Sequence, residues 1–422
     1  MIWYEPFAND ELPPRDGELQ AIKLFTRLNI GRIELNDAEL VKAQLLTTVR
    51  KKNRDSAYEL AAQWDAIERD LQRRDVWAFV SALDEQATAT EYPVRIGLLL
   101  DTLADKGRPQ STKRRRYATF DALRDALEDP KALWDDLTAL HARILGWMDD
   151  PERYNKIGFL IASKVHALGD ILAAADTRKK SDFDSWLTER IGKTIDLSRK
   201  QLVDLRYNVT GNYIKLLHAL LLFNVETLSR AGQRFPFAEH AGEDWSLEHI
   251  HAQQSEGLNK ESQWRMWLSQ HLSALSVRAA EVFHAGEPRT DIDVLIQDIE
   301  MALQSREIER PTFLELHART VRHFGDGEPD HCIHNLALLS SSRNSELSNA
   351  VFEVKRQRIL EHDKKGEYIP ICTRHVFVKY YAPLGAEQLH FWSDDDKKGY
   401  FEAIVSDTSG IGRYLSSEVE RV

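Results

Sequence analysis

Only two cysteines occur in 422 residues, Cys332 and Cys372, too few for a disulfide framework or a four-cysteine zinc knuckle. A reducing cytoplasm is the simpler expectation. Long apolar runs are missing as well. The longest, Leu216 to Val225, is interrupted by His218 and Asn224 and is too short to span a bilayer. With no basic leader ahead of an apolar run at the N-terminus, neither secretion nor membrane insertion is expected. Positive charge is in deficit, with 56 Lys and Arg against 67 Asp and Glu and a net charge of -11. That balance argues against a chain that merely coats nucleic acid, because non-specific affinity comes largely from neutralising phosphates. No internal repeat or low-complexity segment stands out. What remains is ordinary for a globular chain, 42% hydrophobic and 29% charged, and long enough for two or three domains with cores of their own.

Most of the stretch between residues 36 and 228 reads as helix. Asn36 with Glu39 three positions later has the form of a capping box, and Leu60, Trp64, Ile67 and Leu71 fall on one helical face. Leu133, Leu137, Leu140 and Ile144 repeat that spacing, and both stripes are most simply bundle core. Loops or boundaries are expected near Lys106 to Arg116, at Asp149-Asp150-Pro151 and at Ala231 to Asp244, where Gly, Pro and charge cluster.

From Trp245 the pattern changes. Trp245-Ser246-Leu247-Glu248-His249-Ile250-His251 is answered much later by His334-Asn335-Leu336-Ala337-Leu338-Leu339 and Asn344. A strand is expected over Leu247 to Ile250 and a second over Asn335 to Leu339. A helix is expected from Asn344 to about Leu360, with Leu347, Val351 and Val354 inward. These residue types suit phosphodiester hydrolysis. Glu248 and Asn344 offer hard oxygens to a divalent cation with open positions. His249 is a candidate to take a proton from the attacking water, since a neutral imidazole does so near pH 7. Side chains adjacent on a strand point to opposite faces, so Glu248 and His249 share one site only if the strand bends or frays.

Glu-His-Ile, then Asn-Leu-x-Leu-Leu, then Asn344, Asn349, Phe352 and Lys355 resembles the HNH (ββα-metal) nuclease domain of GmrSD-type restriction enzymes. The resemblance implies that Glu248 and Asn344 bind Mg2+ or Mn2+, that His249 is the general base, that Asn335 ties the hairpin together and that Lys355 contacts phosphate. Where the family has proline after Glu-His-Ile-x, this chain has Ala252. Phe25-Thr26-Arg27-Leu28-Asn29-Ile30-Gly31 with Leu35 to Leu40 and Lys42-Ala43 is similar to the end of the N-terminal domain of the same enzymes. The Asp-Gly-Gln-Gln-Arg motif that this domain carries, linked to nucleotide hydrolysis, is missing, so nucleotide dependence stays unassigned. The resemblance therefore implies a truncated reading frame or one half of a split system, whose protein partner carries the missing domain.

The expected architecture is mainly α, a helical bundle region followed by an α+β HNH domain with a helical insertion. Residues 1–60 would be the N-terminal remnant, 61–244 the helical domain, 245–375 the nuclease domain and 376–422 an extension packed on it. Between the two strands, helices are expected around Gln263 to Phe283 and Asp291 to Leu303, then a turn through Gly325-Asp326-Gly327-Glu328-Pro329. Val376 to Tyr381 reads as a strand or extended edge, and Ser393 as the N-cap of a helix opened by Asp394, Asp395 and Asp396. Ten histidines fall between Trp245 and His375. Lacking a suitable cysteine or a tight His-x3-His pair, they do not suggest structural zinc. His251 and His334 have phosphate or the hairpin as alternatives to a plain structural role. Lys113 to Arg116 and Arg178 to Lys180 read as solvated faces. Arg356 and Arg358, beside Lys355, either steer a phosphate backbone or complement a helix C-terminus. DNA is the expected substrate, with RNA and a catalytically silent, partner-binding role as alternatives.

Overall fold

A computed structural model describes residues 35–105, 117–251, 258–284, 290–323, 330–347, 350–382 and 392–417. The run Phe25 to Gly31, the charged run Lys113 to Arg116, Ala252, the turn at 325–329 and Asn349 lie outside these residues. The protein is mainly helical, and the described residues contain a single two-stranded sheet. None of their helices is long and apolar enough to cross a membrane.

Helices that frame the fold include α1 (Asp37–Lys52), α2 (Arg54–Gln72), α3 (Pro130–Asp149), α4 (Pro151–Ala162), α5 (Asn212–Arg230), α6 (Glu261–His284), α7 (Thr290–Gln304) and α8 (Arg310–Arg322). After them come α9 (Ser341–Leu347), α10 (Phe352–Lys364), α11 (Ile371–Phe377) and α12 (Asp394–Val405). The strands are β1 (Trp245–His249) and β2 (Leu336–Ser340).

Two compact units divide the chain, one of residues 1–69 and 92–141, the other of 70–91 and 142–422. In the first, the capping box at Asn36 and Glu39 is formed on both sides. Leu60, Trp64 and Ile67 are buried, as are Leu133, Leu137 and Leu140. Trp64 stacks on Trp134 at 6.2 Å, and the Trp134 indole N–H reaches Gln63 at 2.9 Å. Glu68 accepts from the backbone N–H of Arg95 and Ile96, satisfying donors at a helix start that have no intrahelical partner.

In the second unit α5 is the buried spine. Every residue from His218 to Glu226 is below a tenth exposed, so the longest apolar run of the sequence is core. Polar groups inside it are paired: Asn224 accepts from Cys372 N–H at 2.8 Å and Glu226 accepts from Tyr414 at 2.7 Å. Asp150 caps α4, which Pro151 opens. The sheet rests on α5, with α9 and α11 also against it. Such support is what a two-stranded ribbon needs, being marginal alone. Thr373 Oγ1 donates to Leu338 O at 2.6 Å and the Tyr400 hydroxyl to Leu336 O at 3.2 Å, so side chains bind backbone acceptors of β2. Helices α6, α7 and α8 form the excursion between the strands and bury a cluster including Trp267, Leu268, Leu275, Leu295, Ile299 and Phe313.

Three local expectations need correction. Val376 to Tyr381 is not extended: α11 runs to Phe377 and a turn follows, with Lys379 at φ 62. Cys372 with Val376 and Thr373 with Phe377 are buried at helical spacing, and that burial overrides β-propensity. The helix expected from Asn344 to Leu360 is two helices, because Val351 is extended (φ -67, ψ 162) and caps a new one. Within the stretch Ala231 to Asp244, expected as loop, residues Phe237–Ala241 form a short helix. At the tail, Ser393 and Asp396 form the capping box that opens α12.

Candidate functional site

β1 and β2 pair antiparallel with Glu248 opposite Ala337 and His249 opposite Leu336. Segments nearly ninety positions apart in sequence thus form one hairpin, and several side chains fasten it. Asn335 accepts from His251 N–H at 3.0 Å through Oδ1, while its Nδ2 donates to His251 O at 3.0 Å and Asp330 O at 2.9 Å. Asn344, midway along the next helix, donates from Nδ2 to Ser246 Oγ at 2.8 Å and Leu247 O at 3.2 Å. Thr373 and Tyr400 tie β2, as noted above.

Strand alternation decides what the two motif residues meet. Glu248 is 4% exposed and its carboxylate is ion-paired with Lys355 Nζ from α10, which also donates to His249 O at 2.6 Å. Burial pushes the Glu248 carboxyl above its ordinary value, against the opposing pull of the Lys355 ammonium. His249 turns the other way. Its Nε2 lies 3.1 Å from Nδ1 of His331, and Tyr207 stands edge-on to its ring at 4.9 Å. Burial, with the positive charge of Lys355 and the His331 ring adding, pulls the His249 imidazole down to about 4.

The arrangement does not fit a divalent cation at Glu248 and Asn344. The one carboxylate is already neutralised by an ammonium that is itself 1% exposed, and a second positive charge beside it has no compensating group. Asn344 leaves Oδ1 without a donor among the described residues, but one amide oxygen is a poor holder for a hard cation. Lys355, expected at phosphate, faces inward. Arg356 reaches Glu353 at 3.5 Å and the exposed Arg358 reaches Glu361 at 3.4 Å.

The remaining histidines are structural at close range. His251 Nδ1 accepts from Phe352 N–H at 3.3 Å, and His271 Nε2 accepts from Val351 N–H at 3.1 Å. Two buried imidazoles therefore satisfy consecutive backbone donors where α10 begins. His334 Nε2 lies 2.8 Å from Asp330 Oδ2, and its carbonyl accepts from the Trp392 indole at 3.0 Å. His331, Tyr207, Asp330 and Cys332 are site residues that the motif reading passed over. Asp330, Cys332 and His334 did carry a signal in sequence, three donor side chains at alternate positions just before β2. A cavity of about 650 Å3, lined by Lys164, His218, His240, Trp245 and Leu338 among others, adjoins the sheet, but neither Glu248 nor His249 lines it.

No family model, curated protein or solved structure matches the chain.

Proposed function

We propose that residues 245–375 are a nuclease module of the ββα kind that hydrolyses DNA phosphodiesters, in a restriction or anti-phage role suggested by the resemblance to GmrSD-type enzymes. A second protein bearing the nucleotide-linked N-terminal domain is the partner that resemblance suggests. The observation that carries the reading is the antiparallel pairing of β1 with β2, followed by a helix whose Asn344 returns to the backbone of β1. His249 is the base in this reading, and a divalent cation would reach Glu248 only with Lys355 withdrawn from it. It is half-buried on the face away from the Glu248 and Lys355 pair, and its lowered pKa leaves this histidine unprotonated at neutral pH but a weaker base than an ordinary one.

The buried Lys355 and Glu248 pair favours a second reading, a silent relative that keeps the fold and binds a partner. One experiment separates these readings. Supercoiled plasmid and transfer RNA are each incubated with the protein and Mg2+ or Mn2+, using wild type and His249→Ala. Plasmid cleavage that the substitution abolishes supports the proposal. Cleavage of transfer RNA alone makes the enzyme an RNA nuclease, and a folded wild type that cuts neither is the silent relative. Cutting that survives His249→Ala removes this histidine from the role of base.

A further inference from the structure

Three chemically different donors converge where the chain re-enters the sheet. Asp330, Cys332 and His334 bring a carboxylate oxygen, a sulfur and an imidazole nitrogen to within 4.8 Å of one another. The backbone that carries them is held from several directions. Cys332 N–H donates to Asp330 Oδ1 at 3.1 Å, Asn335 Nδ2 donates to Asp330 O at 2.9 Å, and Trp392 holds His334 O. From the far side Tyr207 N–H donates to His331 O at 3.0 Å, and Arg206 forms an isolated bridge with Cys332. The nuclease reading uses neither Asp330 nor Cys332, and offers His334 only phosphate or the hairpin as alternatives to a structural role.

We propose that Asp330, Cys332 and His334 bind a single borderline-soft divalent cation of the zinc class. The inference does not rest on the nuclease reading. Mixed sulfur, nitrogen and oxygen donors select such an ion over Mg2+ or Mn2+, which take oxygen sets. Three protein ligands leave a fourth position for water or an incoming group. Without the cation, Asp330 Oδ2 lies 2.8 Å from His334 Nε2 and 3.3 Å from Lys397 Nζ. Lys397 is a competitor with somewhere to go, because exposed Asp394 lies 3.3 Å away on the same helix. The Asp330 and His334 side chains are 17% and 20% exposed, which leaves a way in from solvent. Sequence spacing had set zinc aside because it sought paired cysteines or a helical His pair. The cluster here is instead made by alternate residues of a short irregular stretch.

The test uses full-length protein, stripped with a chelator and titrated with Co2+. A single equivalent should bind with a thiolate-to-cobalt charge-transfer band, and Zn2+ should displace it. Cys332→Ser should abolish the band, while Cys372→Ser, altering a thiol held in the core by Thr227 and Phe223, should keep it. His334→Ala should weaken binding by about tenfold or more, and Lys397→Met should tighten it severalfold. Circular dichroism of each stripped variant separates a lost ligand from a lost fold, and Asp330→Asn offers a same-shape substitution if His334→Ala unfolds. A wild type that binds no stoichiometric Co2+, or a band that persists in Cys332→Ser, overturns the site. An affinity unmoved by Lys397→Met overturns the competition.

Discussion

On one face of β1 the Glu248 carboxylate is closed under the ammonium of Lys355, with both residues below a twentieth exposed. On the other face, one residue further, His249 is half-buried between Tyr207 and His331 and keeps a path to solvent. Adjacent letters of one motif thus meet opposite environments, because alternation along a strand separates neighbours more strongly than sequence adjacency joins them. The sealed face resists disturbance, since a buried ion pair is costly to break. The open face carries His249, whose ring meets His331 and Tyr207. Stability and the chemistry proposed for His249 are therefore assigned to opposite sides of five residues.

The strongest test of that division removes the lid. Lys355→Met leaves Glu248 buried without a counter-charge and should cost about 3–5 kcal/mol in urea unfolding. The double variant Glu248→Leu, Lys355→Met should regain most of it, because an apolar pair of similar volume replaces the ions without desolvating either. A single-variant loss below about 1 kcal/mol, a value ordinary for solvent-exposed pairs, would show that the face is not sealed.

Acid should act on the same N-terminal turn of α10. His271 and His251 both accept backbone N–H bonds at the start of α10, which they can do only with that nitrogen unprotonated. Burial pulls each imidazole down to about 3, and Lys355 adds to the penalty for both. The unfolded chain's histidines titrate near 6.5. Between pH 6.5 and about 3 the unfolded state binds the more protons, so stability is full above that window and falls as pH falls through it. By pH 5.5 the two histidines together should remove about 2–3 kcal/mol. His271→Gln keeps an acceptor that does not titrate, so its difference in unfolding free energy between pH 7.5 and 5.5 should shrink by roughly half of that contribution. An undiminished difference would relocate the acid sensitivity to other groups.

A smaller effect belongs to the pin between the faces. Asn335→Ala removes three hydrogen bonds and leaves the N–H and O of His251 without that partner in the interior. The loss should be about 1–3 kcal/mol, read by thermal or urea unfolding. Hydrogen exchange at Ile250, whose N–H bonds Asn335 O at 2.9 Å, should accelerate in step, whereas exchange across α3 should not change.

The sequence made the helical stripes legible, because Leu60, Trp64 and Ile67, and Leu133, Leu137 and Leu140, obey a 3.6-residue period that needs no partner to be recognised. The hairpin was legible through its motif, and the caps at Asn36 and Ser393 through local chemistry. The helix break at Val351 was not, because the side chains that accept the first N–H groups of α10 lie 80 and 101 positions away. Nor was the fate of Glu248, whose partner is 107 positions distant. A metal ligand and half of a buried ion pair look alike in a string of letters. Only the third dimension shows which cation has taken the carboxylate.

His249→Ala should disturb stability least and so sharpen the contrast most. It removes one hydrogen bond to His331 and an edge contact with Tyr207 from a half-buried position, a loss of roughly 1 kcal/mol. Plasmid cleavage should nonetheless disappear. Measured beside Lys355→Met on the same preparation, the pair should cross over, with one variant losing several kcal/mol of stability and the other losing turnover while staying folded. If His249→Ala destabilises as strongly as Lys355→Met, the open face is as much core as the sealed one, and the division of labour along β1 fails.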